Sequence, residues 1–279
     1  WVDLYRQQQT TLLTEASIAG MNASVSPSFG IQMTFSGFTD KQPELIKRSL
    51  EALRIEPSEE EFIQAVDRFT RGLENSRFGF PVRQLFPAIR RLTQTGAFNQ
   101  EDLLQAANAA TLEALSGHIE QQLSTAYVRG YRFGNYSEED VQSLADLIAR
   151  VLPNRSGDTY TRAATYAPQP GSTLVYQENL PVEDLGMAYL FAAPKASIEN
   201  VAKGELLAAH LSNRAFNQLR TEEQLGYAAG GFATQLGDHP MVGFYIQTPV
   251  KAPIAMLERF DDYRAEFASD LEALEQAEF

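Results

Sequence analysis

NRAFNQLRTEEQLGY, residues 213–227, joins a helical pattern to a strand pattern. Upstream of it, Val201, Gly204, Ala208 and Leu211 recur at helical spacing behind Ser197, which predicts a helix starting near that serine. Downstream, strands are predicted at about 224–234 and 241–248, with Val242, Phe244 and Ile246 on one face. A last helix follows from Ala252, carrying Leu257, Phe260 and Phe267. Junctions between a helix and a strand expose side chains at the end of a rigid element, a common place for function. Arg220 offers a planar five-donor fork suited to carbonyl or carboxylate groups. Tyr227 adds a phenol donor seven residues later. If the chain reverses between them, both point into one cavity. Spacing alone equally allows Arg220 to pair with Glu222 or Glu223 at the surface while Tyr227 packs in the sheet.

The same order of elements occurs near the start of the chain. Thr14-Glu15 followed by Ile18-Ala19 matches Thr221-Glu222 followed by Leu225-Gly226 at a constant offset. Ile31, Met33 and Phe35 alternate with polar residues, so a half-buried strand is predicted, paired with 18–25 through a turn at Pro27-Ser28. Residues 1–15 read as a helix, and a further helix after Asp40 places Ile46, Leu50 and Leu53 on one face. Ser58 and Glu61 have capping-box spacing ahead of a helix bearing Phe62, Val66, Phe69 and Leu73. Pro81 suits the first turn of another. Helices are also predicted at 99–107, 111–122 and after Ser137. Tyr127–Phe133 reads as a returning strand. Leu174–Gln177 and Leu185–Ala192 read as the strands that open the second half. The proline- and glycine-bearing stretch 153–171, beginning PNRSG, is where a boundary falls. The expectation is an α+β fold of two homologous, truncated domains, 1–157 and 158–279. Each would be an antiparallel-rich sheet with helices packed on one face.

Composition narrows the function. The 279 residues are 44% hydrophobic and 21% charged, long enough to bury a core without staples. There is no cysteine, which excludes disulfides and thiolate catalysis and fits either a reducing cytoplasm or a disulfide-free periplasmic protein. A formal charge of −13 repels phosphate backbones, so no nucleic-acid partner is expected. No apolar run reaches the roughly 18 residues of a membrane span, so no membrane partner is expected either. The opening WVDLYRQQQ has no signal-peptide pattern and reads as the middle of a folded element.

Catalytic constellations are sparse. His118, His210 and His239 are the only histidines, none within a helical turn or two of another, and neither His-Glu-x-x-His nor His-x-x-Glu-His occurs. His239, in an Asp-His-Pro turn, reads as solvent-facing. No Gly-x-Ser-x-Gly elbow and no phosphate loop is present. Gly226, Gly230 and Gly231 sit on a predicted strand and suit close packing or a bulge. Glu222 and Glu223 are adjacent and diverge, a poor acid/base pair. Asn22-Ala-Ser24, Asn135-Tyr-Ser137 and Asn154-Arg-Ser156 match the glycosylation pattern only as short matches do by accident.

FNQLRTEEQLGY (216–227) closely resembles the signature in the C-terminal half of pitrilysin and insulysin, the inverted-zincin metallopeptidases. SIAGMNASVSPSFGIQMTFSGFTDKQPEL (17–45) is similar to that family's third domain, and VYQENLPVEDLGMAYLFAA (175–193) to the opening hairpin of its fourth. The resemblance implies four homologous α+β domains in two halves that close on a peptide chamber. The N-terminal half would bind zinc through His-x-x-Glu-His, while the C-terminal half supplies no ligand. Arg220 and Tyr227 match the family's arginine and tyrosine that reach the substrate backbone, the tyrosine helping to stabilise the tetrahedral oxyanion.

That resemblance implies what this chain is, what it meets and where it works. This chain is a fragment of the non-zinc half, inactive by itself and holding no cofactor of its own. Its partners are a peptide substrate and the N-terminal half of the same parent, where the zinc resides. The compartment implied by bacterial pitrilysins is the periplasm, with the cytoplasm as alternative. A naturally zinc-less partner subunit, or a peptide-binding scaffold of the same fold, are the rival readings.

Overall fold

The computed structural model describes residues 1–28, 30–152, 163–193, 197–237, 239–250 and 252–274. The chain begins with α1 (Val2–Gln8) and α2 (Thr10–Ile18), then the strands β1 (Met21–Ser28) and β2 (Gly30–Gly37). Helices α3 (Gln42–Glu51), α4 (Glu59–Ser76), α5 (Pro81–Thr93), α6 (Gln100–Ala109), α7 (Leu112–Ser124) and α8 (Glu138–Val151) follow. Then come β3 (Leu185–Ala192), α9 (Ile198–Ala215) with a π-helical extension Phe216–Glu222, β4 (Ala228–Leu236), β5 (His239–Thr248) and α10 (Pro253–Ala273). The fold is α+β with antiparallel sheets, as the alternation of helical and strand periods predicts. The segment 153–157 and the expected boundary at 157/158 lie outside the described residues, as does Asn154-Arg-Ser156.

Two compact units form, and neither is contiguous in sequence. One comprises Trp1–Gly72 with Leu103–Thr161, the other Leu73–Asp102 with Arg162–Phe279. In the first, β1 and β2 make an antiparallel hairpin with Met21 opposite Gly37, and Ile31, Met33 and Phe35 point to the same half-buried face. Leu4 and Tyr5 of α1, Val25 of β1, and Ile119 and Leu123 of α7 form one core cluster with Leu53, Ile55 and Leu152. Both predicted caps form. Ser58 Oγ accepts from the Glu61 N–H at 3.2 Å while the Glu61 carboxylate accepts from the Ser58 N–H at 2.8 Å, and Ser137 with Asp140 repeats the pattern at α8.

In the second unit the sheet runs β3-β5-β4, all antiparallel. Side chains alternate across it. Phe244 and Ile246 of β5 and Ala229 of β4 face Leu211 and Ala215 of α9 and Met256, Phe260, Tyr263 and Phe267 of α10, a buried hydrophobic cluster. On the other face lies α5: its Phe86 meets Phe232 of β4 edge to face at 5.0 Å, and Pro81 sits so close to Gly186 of β3 that a Cβ there would come within 2.7 Å. The end of α5 also pairs with 163–166, the Tyr166 N–H donating to the Thr93 carbonyl at 2.7 Å.

The structure departs from the sequence reading in a few places. The first helix is two, breaking at Gln9 (φ −95°, ψ 11°), and the second runs through Ser17 to Ile18. Tyr127–Phe133 is not a strand, and neither is Leu174–Gln177. Among the described residues no neighbouring strand offers either one a ladder, and Tyr131, Phe133, Leu174 and Val175 remain exposed. The strand expected from 224 begins only at Ala228, because 224–227 make the reversal described below. His239 opens β5 half-buried, its Nδ1 3.5 Å from the Ala193 carbonyl, rather than standing in a solvent-facing turn. The helix–strand–turn–strand–helix order does occur twice, and the repeat offset carries Met21 onto Ala228, the first residues of β1 and β4.

Candidate substrate-contact site

The 216–227 stretch is a helix end that unwinds in a defined way. The last turns of α9 widen into the π-helical segment, where the Glu223 N–H reaches back to the Gln218 carbonyl at 2.9 Å. Short π segments within α-helices are uncommon and recur at functional sites. The chain then reverses: Gln224 takes a left-handed backbone (φ 52°), a conformation unusual for a residue with a Cβ, and the Leu225 N–H closes onto the Leu219 carbonyl at 2.9 Å. Leu219 and Leu225 are buried beneath the turn. Glu223 pins it from outside through a two-pronged contact with Arg259 of α10 (Nε to Oε2, 2.8 Å), and Arg259 also binds Glu266 at 3.2 Å. Both carboxylates favour the charged guanidinium, Glu223 most, and push the Arg259 pKa further up.

Gly226 is needed where it stands. A Cβ on it would lie 2.1 Å from the Gln247 carbonyl oxygen, a backbone atom held in the β4–β5–β3 ladder. Gly226→Ala is therefore expected to cost about 1–3 kcal/mol, as overpacking against rigid neighbours does, and to displace Tyr227. Denaturant unfolding measures the first effect, and an unchanged midpoint would contradict it. Gly231 of β4 serves a similar end, since a Cβ would meet the Ser212 nitrogen at 2.7 Å and the Ala208 carbonyl at 2.9 Å on α9.

The reversal places Arg220 and Tyr227 on either side of Gln224, and no hydrogen bond, ion pair or ring contact joins them directly. Arg220 is exposed. Its guanidinium lies over the Phe216 ring at 4.4 Å, and the acidic neighbour Glu223 is engaged by Arg259 instead. The surface pair with Glu223 allowed by spacing is not formed. Tyr227 is not packed away in the sheet either: it is 48% exposed, with its ring edge against Phe80 at 6.4 Å.

Two residues not singled out by the sequence reading complete the site. Tyr227 donates its O–H to Asp184 Oδ2, and Gln247 Nε2 donates both to that oxygen at 2.9 Å and to the Tyr227 hydroxyl. Gln247 is buried, and its Oε1 accepts from the Val82 N–H at 3.3 Å. That donor belongs to the first turn of α5, where backbone N–H groups have no partner within the helix. With Oε1 turned to Val82, the amide must aim Nε2 at Asp184 and Tyr227. The hydrogen bond to Asp184 raises the Tyr227 pKa above the ordinary phenol value. The phenol, and after it the Gln247 amide, holds Asp184 below the usual carboxylate range. Tyr227 thus stays a neutral donor and Asp184 a charged acceptor. In the sequence Gln247 stands out as an amide directly after the apolar run 241–246.

The histidines are scattered. His118 meets Trp1 edge to face at 6.1 Å, and His210 lies 5.7 Å from Phe267. Among the described residues no three of the histidines, aspartates and glutamates gather as a metal site.

Comparison with known proteins gives the class and then the family. The crystal structure of pitrilysin superposes with a TM-score of 0.85 at 23% identity, covering 99% of this chain and 30% of that one. A peptidase M16 inactive domain from Pseudomonas fluorescens superposes with a TM-score of 0.63 at 15% identity, covering 96% of this chain and 66% of that one. The fold is therefore pitrilysin-like. Residues 1–106 match the middle or third domain of peptidase M16, and residues 206–279 match the C-terminal lobe domain 4 of PQQ synthase PqqF-like proteins. Protease 3 of Salmonella typhi is 24% identical over 271 residues, 96% of this chain and 28% of the relative. Human insulin-degrading enzyme is 24% identical over 236 residues, 81% of this chain and 23% of the relative. Along most of its length the chain is similar to M16 peptidases of the pitrilysin/insulysin type, and it spans less than a third of the length of these curated relatives.

Proposed function

We propose that this chain is part of the non-zinc, C-terminal half of a pitrilysin-type zinc metalloendopeptidase. Its role is to close a peptide chamber and contact the substrate through Tyr227 and Arg220. The observation that carries the reading is the half-exposed phenol of Tyr227, held as a neutral donor at the head of β4 within a stretch similar to Protease 3 along nearly all its length. A preorganised donor of that kind lowers the barrier to acyl transfer because it meets the charge that develops on the scissile carbonyl oxygen without having to reorient solvent. Arg220, exposed and resting on Phe216, is placed to bind a peptide carbonyl.

The described residues do not themselves fit a zinc ion. In this reading the metal and its general base come from an N-terminal half carrying His-x-x-Glu-His, and peptides are the substrates. The periplasm is the proposed compartment. No helix among the described residues is long and apolar enough to cross a membrane.

The zinc-less partner subunit remains a second reading, favoured by the fold likeness to the Pseudomonas fluorescens inactive domain. The purified 279-residue chain is expected to bind no stoichiometric zinc and to cleave no peptide, while the natural protein that contains it does both. Zinc-dependent peptidase activity that stays with the chain through repurification would sink the proposal. A natural protein without any zinc-binding segment would turn it into the partner-subunit reading.

A further inference from the structure

We infer that Asp184 and Gln247 are positioning residues for Tyr227, a two-point cradle that fixes the phenol oxygen and lets its proton turn from Asp184 to the substrate. The inference rests on the proposed role of Tyr227 and extends it to two residues with no assigned part.

The geometry defines a hand-over. With no substrate present, the single phenol proton points to Asp184 Oδ2, and the phenol oxygen accepts from Gln247 Nε2. When a carbonyl oxygen becomes anionic beside Tyr227, the O–H rotates about the Cζ–Oη bond towards it. No covalent bond changes and no proton leaves the phenol. Asp184 is not stranded by this, because Gln247 already donates to the same Oδ2 at 2.9 Å. Gln247 in turn cannot swing away. It is 1% exposed, and its oxygen is tied to the Val82 N–H at the head of α5. The residue before β3 and the penultimate residue of β5 thus meet at one phenol, and the first turn of α5 holds the second of them in place.

Two effects of losing Asp184 oppose each other. Releasing the phenol proton from a charged acceptor makes it easier to offer to substrate. Since water would take the place of Asp184, that gain is limited to about tenfold. Loss of placement is worth more: a catalytic group displaced by about 1 Å costs on the order of a hundredfold. Placement wins, and the net result is a slower enzyme.

The test is made in the full-length natural protein with a peptide substrate. Asp184→Ala is expected to lower kcat roughly tenfold with little change in KM, the mark of a contribution made mainly in the transition state. Asp184→Asn, which keeps an acceptor of the same shape, should restore part of that loss. In a Tyr227→Phe background neither substitution should lower kcat further, because there is no proton left to place. Thermal unfolding of each variant should stay near that of the parent, since Asp184 is only half-buried. If Tyr227→Phe lowers kcat and Asp184→Ala does not, or if the two losses simply add, the cradle is wrong while the role of Tyr227 stands. If Tyr227→Phe itself leaves kcat unchanged, the underlying role fails first.

Discussion

Tyr227→Phe in the full-length protein is expected to reduce turnover by roughly a hundred- to a thousandfold, the range seen when one oxyanion donor is removed. The substitution deletes one oxygen and keeps the ring. The edge contact with Phe80 is retained, and the backbone reversal at Gln224 is set by Leu219, Leu225 and Glu223 rather than by the phenol. Asp184 keeps its bond from Gln247. Tyr227 is also half-exposed, so water can replace the missing hydroxyl at the cradle, and the stability change should stay within about 1 kcal/mol. The separation of the two effects makes the experiment decisive: steady-state kinetics should collapse while the unfolding midpoint hardly moves. KM should change little, because the donor acts on charge that exists only in the transition state. Unchanged turnover would remove Tyr227 from the chemistry.

Much of the scaffold around that tyrosine is written locally. A strict period of two over Ile31, Met33 and Phe35 can only be a strand with one buried face, and β2 is that. Ser58 with Glu61 fixes the start of α4 by satisfying two orphan helix donors at once. What local patterns do not contain is the identity of a distant partner. Pro81 announces the start of α5, but its amphipathic face says only that it packs on something apolar. That it lies against Phe232 and Gly186, far along in the sequence, follows from tertiary fit. Tyr127–Phe133 fails for the complementary reason. Its composition suits a strand, yet a strand exists only with a neighbour to pair with.

The site was legible to a different depth. Spacing alone allows Arg220 either an ion pair or a ligand contact, and the resemblance implies the second. The structure adds why the ion pair with Glu223 does not form. Arg259 approaches Glu223 from α10 with a two-pronged geometry and is itself shielded, 13% exposed, so it outcompetes a flexible surface arginine on the same turn. Asp184 and Gln247 were hidden because each belongs to a different element, separated from Tyr227 by 43 and 20 positions. Only Gln247 carried a local signal, a buried amide in an apolar strand, which must find partners or cost the fold about 1–3 kcal/mol.

Phe244→Ala is expected to be the most damaging single truncation in the second unit, about 3–5 kcal/mol, the range for removing a buried phenylalanine. Phe244 is 1% exposed on β5, the central strand of its sheet. Its ring packs 4.7 Å from Phe260 and 4.9 Å from Tyr263 of α10, and it stacks on Tyr189 of β3 at 5.8 Å. It is therefore the point at which three elements share one contact. Phe260, Tyr263 and Tyr189 are rigid rings that fill such a space poorly, so the loss is set mainly by how far Met256 of the same cluster can move into it. A domain of ordinary stability has about 5–15 kcal/mol in total, so this loss is a large share of it. Urea or thermal unfolding reads the effect directly, and a cost below about 1.5 kcal/mol would mean that α10 repacks onto β5. The consequence reaches the site as well. Gln247 sits three residues along the same strand, and Gly226 touches its carbonyl, so a loosened β5 releases both the cradle of Tyr227 and the turn that presents Arg220. Activity of the Phe244→Ala protein should then fall at temperatures below its unfolding midpoint, whereas Tyr227→Phe is impaired equally at every temperature at which the protein is folded.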